Sequence, residues 1–244
     1  MRSILAAAAV LLAVGIAAAL VWASASMSTA EPAVEAYLQS SEEVTVASNP
    51  WLAFRPSDAD PKVGFIFYPG GNVDHQAYAP ALFEIAAQGF LVVDVEMPLG
   101  LAFLGLNKAL EVIEAYPEID TWVIGGHSLG GAMAARFASQ HPGIAAGLVL
   151  WAAYPAGSDD LSQSEIRVIS ISGSQDGLAQ PDEIAGSVPL LPEDTVWVVV
   201  EGGNHAQFGH YGVQRGDNLA SISRQVQQEQ VITATVSFLA QFVE

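Results

Sequence analysis

Apolar residues in this chain come in short runs separated by polar and glycine-rich breaks, and the spacing inside the runs changes along the sequence. Glu43-Val44-Thr45-Val46 and Trp51-Leu52-Ala53-Phe54 flank Asn49-Pro50, the pattern of two short strands around a turn. Val63-Gly64-Phe65-Ile66-Phe67-Tyr68 is nearly all apolar, as a strand covered on both faces should be. Tyr78, Leu82, Ile85 and Ala86 then recur at helical spacing, predicting a helix over about 76–88 that stops at Gly89. A strand over 90–95 follows, then a helix over about 101–116 that ends before Pro117. Trp122-Val123-Ile124-Gly125 predicts another strand, and 132–138 a helix stopped by Pro142-Gly143. Further strands are expected at 147–151, 167–171 and 196–200, with a short helix near 182–186. Ile222, Val226, Ile232, Val236, Leu239 and Val243 are spaced as the buried face of a closing amphipathic helix. Strands alternating with helices imply right-handed crossovers, so the fold class is α/β, a mostly parallel central sheet flanked by helices.

The first residues follow another pattern. After Met1-Arg2 the chain is apolar and uncharged from Ile4 to Trp22. Residues 1–25 are expected to be a signal peptide, with Ala23-Ser24-Ala25 resembling a cleavage site, or an uncleaved membrane anchor; the alanine-rich run favours cleavage. Residues 26–42, small and polar, read as a spacer, and 43–244 as one domain. The domain is then exported, either secreted or anchored to the outer face of the cytoplasmic membrane. Membrane contact is expected only through the N-terminal segment, if uncleaved.

Composition narrows the function. The chain has 26 acidic against 8 Lys and Arg residues, a formal net charge of −18, so it repels phosphate backbones and nucleic acid is not an expected partner. With no cysteine, thiolate metal sites and cysteine nucleophiles are excluded.

The stretch Gly126-His127-Ser128-Leu129-Gly130 spells G-x-S-x-G between a predicted strand and a predicted helix, the context of a nucleophile elbow. A serine hydroxyl needs a base, and the base an orienting carboxylate. Asp176 follows the strand at 167–171, and His205 follows the strand at 196–200, so acid and histidine come after the serine on successive strands. Asp159 and Asp160 are competing acids, while Glu201 stands too close to the histidine. His127, the variable residue of the elbow, should point away from the serine's site; His75 and His210 lie in loops near the rim, and His141 precedes Pro142. The Leu129 N–H is one expected oxyanion donor, and Gly71 or Asn72, in Pro69-Gly70-Gly71-Asn72, the second. Met97, Leu101, Phe103, Trp151, Tyr154, Leu178 and Tyr211 are candidates to line the cleft. A metal site built from Asp74, His75, His205 and His210 matches no metal-binding motif, so no metal and no cofactor are expected.

Pro69-Gly70-Gly71, the elbow, Ser174-Gln175-Asp176-Gly177 and Gly202-Gly203-Asn204-His205 together resemble the α/β-hydrolase family of serine hydrolases, in its compact, dienelactone-hydrolase-like branch. The likeness runs from about residue 43 to the end. It implies Ser128, Asp176 and His205 as a catalytic triad for a small-molecule acyl substrate, most simply a carboxylic ester. Pro69-Gly70 stands where the family usually has His-Gly. Only about 14 residues separate the strands where family members often insert a lid, which implies little or no lid domain. An acyltransferase with the same triad, or a non-catalytic binding protein of this fold, are the alternatives.

Overall fold

The structure, a computed structural model, describes residues 27–243. The signal peptide or anchor expected over residues 1–25 lies outside the described residues. Among those that are described, no helix is long and apolar enough to cross a membrane.

One sheet of eight strands organises the chain. β1 (Val44–Ala47) and β2 (Leu52–Pro56) pair antiparallel, as the Asn49-Pro50 turn predicts. β2 is also antiparallel to β4 (Leu91–Asp94), which pairs in parallel with β3 (Val63–Tyr68). β5 (Thr121–His127), β6 (Gly147–Trp151), β7 (Arg167–Gly173) and β8 (Val196–Val200) extend the parallel part, in the order β1-β2-β4-β3-β5-β6-β7-β8. The chain steps outward from β3 to β4 and then returns to lay β5 on the other side of β3. Loops leaving β3 and β5 therefore diverge, and that switch point at the carboxyl ends of the strands is where a ligand cleft forms.

Alternation along the strands builds two cores. Phe65 and Phe67 face one side of β3, against Leu82 and Ile85 of α1 (Ala79–Ala87) and Val231 and Phe238 of α5 (Arg224–Leu239). Ile66 and Tyr68 face the other side, with Val112 of α2 (Lys108–Ala115) and Phe137 of α3 (Leu129–Gln140). A strand buried on both faces needs this two-sided cover, and it is why the sequence runs are apolar at every position.

Four expectations change. The helix expected over 101–116 is two 3-10 turns, Pro98–Gly100 and Ala102–Leu104, followed by α2 alone. A Cβ at Gly105 would stand 2.7 Å from the Met97 sulfur, and Leu99 takes φ 56°, so tertiary packing overrides the helical spacing here. β8 is an edge strand, with Trp197 38% and Val199 54% exposed, because only β7 pairs with it. The closing helix turns a different face inward: Gln227, Gln228 and Thr235 are buried, whereas Val226 is exposed. Finally, residues expected as a spacer lie against the domain. Ser28 bridges to Val73, Val34 is buried in the 3-10 helix Pro32–Leu38, and Arg224 donates two hydrogen bonds to Glu31. α4 (Pro181–Gly186) matches the short helix expected before β8.

Candidate active site

Two glycines make the turn at Ser128 possible. β5 delivers the chain to His127 and α3 leaves at Leu129, so strand and helix backbones converge on one residue. Ser128 sits at φ 52°, ψ −122°, a conformation that a residue with a Cβ adopts only when its surroundings enforce it. A Cβ at Gly126 would stand 2.3 Å from the Tyr68 carbonyl oxygen, and one at Gly130 2.1 Å from the same atom. The Ser128 N–H donates to the Trp151 carbonyl at 2.9 Å, which ties the turn to the end of β6.

The loops after β7 and β8 bring Asp176 and His205 together. His205 Nδ1 and Asp176 Oδ2 are 2.8 Å apart, and both side chains are buried. The other oxygen, Oδ1, accepts the N–H groups of Leu178 and Ala179, each at 2.8 Å, in the turn that Asp176-Gly177 initiates. An ionised carboxylate only accepts, so the proton of the neutral imidazole lies on Nδ1 and the lone pair on Nε2. Nε2 is buried with no hydrogen-bond partner among the described residues. Ser128 and His205 line one cleft of about 340 Å³. The competing acids do not reach the histidine: Asp159 accepts from Ser158, Asp160 caps the Ser162 N–H, and Glu201 is exposed.

The loop after β3 passes beside this cleft. A Cβ on Gly71 would lie 2.8 Å from the Leu129 side chain, so glycine lets the loop close onto the elbow. Its N–H makes no hydrogen bond among the described residues. Asn72, the other expected donor, gives its backbone N–H to the Gly100 carbonyl at 2.8 Å, which removes that N–H as an oxyanion donor. Gly71 is the remaining choice alongside Leu129. Gly70 N–H donates to the Tyr78 hydroxyl at 3.1 Å, and that hydroxyl lies 2.8 Å from His127 Nδ1. The Tyr78 hydroxyl thus bridges the Gly70 N–H and the His127 ring. Burial, then the nearby His205, keep the His127 pKa well below its ordinary value. His127 does not line the cleft, as expected, but its ring centroid is 4.5 Å from that of His205, so it backs the histidine.

His75 makes a second pair, with its Nδ1 2.9 Å from the fully buried Asp94 at the end of β4. Burial pulls the His75 pKa down, but the charge and hydrogen bond of Asp94, aided by Asp74 and Glu96, outweigh it and raise it to about 9. Because the folded value exceeds the ordinary histidine value of 6.5, the His75 contribution to stability is full below pH 6.5 and is lost as pH rises through about 9. Melting temperature should therefore fall across that window, and His75→Gln should flatten the fall; an unchanged slope in the variant contradicts this assignment.

His210 pairs with Gln228 and Arg224, and His141 with Asn107, both away from His205. Asp74, His75, His205 and His210 are thus not brought together, and no group of three or more His, Cys, Asp or Glu among the described residues is placed to hold a metal. Of the expected cleft residues only Tyr154 and Leu178 line it, and alanines 132, 152, 153, 156 and 179 form much of the rest. Trp151 is core, donating to Thr235; Met97 lines a separate hollow, Tyr211 is buried, and Phe103 points to solvent. A larger hollow of about 780 Å³ lies around Thr121, Ala146 and Arg167, at the opposite ends of the strands from Ser128 and His205.

The α/β-hydrolase family model matches residues 64–229, most of the chain and all of the loops just described. The chain belongs to the alpha/beta hydrolase family. Solved structures of this α/β-hydrolase fold include an esterase domain from Rhodothermus marinus, 15% identical, covering 78% of this chain and 90% of that one at a TM-score of 0.57. A CIB-like hydrolase from Thermoplasma acidophilum is 20% identical, covering 83% and 98% at 0.55. The esterase Est2 from Thermogutta terrifontis is 16% identical, covering 82% and 92% at 0.54. No curated protein sequence matches.

Several residues that shape this candidate site carry no sequence signal of their own. Tyr78 reads as a core aromatic on α1's face, yet its hydroxyl joins the elbow to the loop after β3. Gln227 reads as surface, yet it accepts the Asn204 N–H at 3.0 Å and donates to the Asn204 carbonyl at 2.7 Å, clamping the residue before His205. The one available hint is the Gln225-Val226-Gln227-Gln228 run, where an apolar face was due.

Proposed function

We propose that this hydrolase cleaves an uncharged carboxylic ester with a short acyl chain, through Ser128, His205 and Asp176. The observation that carries the reading is a buried histidine with one nitrogen fixed to Asp176 and the other unpartnered, in the cleft that holds a strained serine. Ser128 Oγ attacks the acyl carbonyl as His205 Nε2 takes its proton. The carbonyl oxygen, now an oxyanion, accepts from the N–H groups of Leu129 and Gly71. Collapse expels the alcohol, which receives the proton from His205. Water, activated by the same nitrogen, then releases the acid from Ser128. Asp176 stays ionised throughout and stabilises the imidazolium.

Size and charge support the substrate class. The cleft holds roughly ten non-hydrogen atoms at about 30 Å³ each, and alanines leave few large side chains to shape a long chain. Glu183 lies by the Tyr154 hydroxyl at the cleft, and a protein of net charge −18 disfavours anionic substrates. The apolar run from Ile4 to Trp22 further supports export as the protein's setting.

A p-nitrophenyl ester series tests this. Turnover should peak between acetate and hexanoate and fall about tenfold or more by dodecanoate, and a succinyl monoester should be slower than butyrate. One or two methylenes in an apolar pocket are worth about 1–3 kcal/mol each, so the optimum should be readable. A maximum at dodecanoate, or a preference for the succinyl ester, overturns the substrate class.

A further inference from the structure

We propose that Asp217 is a positioning residue, one carboxylate that sets the geometry of Asp176 against His205 by accepting N–H groups from both of their loops. This rests on the reading of His205 and Asp176 as catalytic. Asp217 Oδ1 accepts the N–H of Gly177 at 3.0 Å and of His205 itself at 3.3 Å, as well as that of Asn218 at 2.9 Å. Oδ2 accepts the N–H of Ala206 at 2.8 Å. Gly177 is the residue after the acid, and His205 and Ala206 are the histidine and its neighbour.

Gln227 clamps Asn204 within the histidine loop, but apart from Asp176 with His205 the direct hydrogen bonds between the two loops join only their roots. Gln175 N–H donates to the Gly203 carbonyl, and Ser174 N–H to that of Val200. Beyond them the two loops leave the sheet at β7 and at β8, an edge strand with no neighbour on its outer side among the described residues. An acceptor for several N–H groups must be a carboxylate if all are to be satisfied, because its oxygens offer about four lone-pair sites and no donor. Its charge strengthens each bond.

The surrounding segment is built to bring Asp217 this close. A Cβ at Gly177 would stand 2.7 Å from the Gly216 carbonyl oxygen and 2.8 Å from the Asn218 nitrogen, so only glycine lets the segments touch. Gly216 takes φ 93°, and Asn204 Nδ2 donates to the Asn218 carbonyl at 2.6 Å. Three connections therefore converge on the residue pair that the reaction needs aligned. A shift of about 1 Å in such an alignment costs on the order of 100-fold in rate.

The test uses Asp217→Ala and Asp217→Asn in the full chain. The wild-type proton spectrum should carry a far-downfield resonance from His205 Nδ1–H bonded to Asp176. In Asp217→Ala this resonance should broaden or vanish, and kcat for a short-chain ester should fall about 30- to 100-fold while KM moves less than about threefold. Asp217→Asn keeps one acceptor oxygen, so it should disturb the resonance less than Asp217→Ala does and lose about three- to tenfold in kcat. A folded Asp217→Ala with a sharp resonance and kcat within threefold of wild type overturns the proposal. If Asp217→Ala does not fold, Asp217→Asn decides: a loss of about three- to tenfold in kcat together with a broadened or shifted resonance supports the proposal, and a loss of kcat with a wild-type resonance, or wild-type behaviour in both, overturns it. The resonance reads the histidine–acid geometry without turnover. A wild-type protein that shows it but cleaves no ester sinks the hydrolase reading, while the response of the variants still decides the role of Asp217.

Discussion

Replacing Ser128 by alanine is expected to lower kcat for a short-chain ester by about 10⁶-fold, leaving only what the oxyanion donors and binding supply. The side chain lines the cleft, and its hydroxyl makes no hydrogen bond among the described residues. The fixed features of the turn are backbone: Ser128 N–H on the Trp151 carbonyl, and the Ala132 N–H on the Ser128 carbonyl at 3.0 Å. Alanine keeps both. The loss should thus appear in kcat with an unchanged melting temperature, and a stable variant that retains more than about a thousandth of wild-type turnover contradicts the assignment. Acyl transfer from Ser128 also predicts that the leaving alcohol appears before the acid in a fast-mixing experiment.

Gly130→Ala is expected to have the largest effect on stability. Its Cβ would stand 2.1 Å from the Tyr68 carbonyl oxygen and 2.4 Å from that of Pro69. Neither obstacle is a side chain that can rotate away, so relief requires the end of β3 to part from the start of α3. That movement breaks the packing of the elbow against the loop carrying Gly70 and Gly71. A loss of more than about 4 kcal/mol belongs to this class of change, a large share of the 5–15 kcal/mol that holds a typical domain folded. Gly186→Ala is the control, since nothing stands within 4 Å of its Cβ position, and it should stay within about 1 kcal/mol of wild type. Urea midpoints at constant slope give both numbers. A Gly130→Ala midpoint equal to that of the control contradicts the packing argument.

Wherever one physical requirement decides a residue, the sequence shows it. Strands covered on both faces are largely apolar, so β3, β5 and β6 are visible as runs, and β7 too despite its buried Ser170 and Ser172. The serine turn needs glycine on both sides, and a base needs a loop after a strand, so Ser128, Asp176 and His205 are legible by placement. What escapes are features set by two segments meeting. α5 buries Gln227 and Gln228 because the histidine loop needs partners for its backbone groups, and hydrophobic spacing cannot report a hydrogen-bonded face. Asn72 and Gly71 are equal in the sequence; the Gly100 carbonyl separates them, and its position comes from a turn that the apolar spacing disguised as helix. Asp217 lies in a stretch of glycine and polar residues with no periodicity, and only the approach of Gly177 gives it a role. Small size in the cleft was equally hidden, because large apolar residues at strand ends went to the core and alanines took the walls.

The central claim is that Ser128 is a nucleophile activated by His205. The most direct measurement is labelling of the wild-type protein with a fluorophosphonate, followed by mass mapping of the modified peptide. The account predicts one adduct, on Ser128, with labelling lost in Ser128→Ala and slowed by orders of magnitude in His205→Ala. A folded wild-type protein that stays unlabelled under conditions that label a control serine hydrolase, or that carries its adduct on another residue, contradicts it.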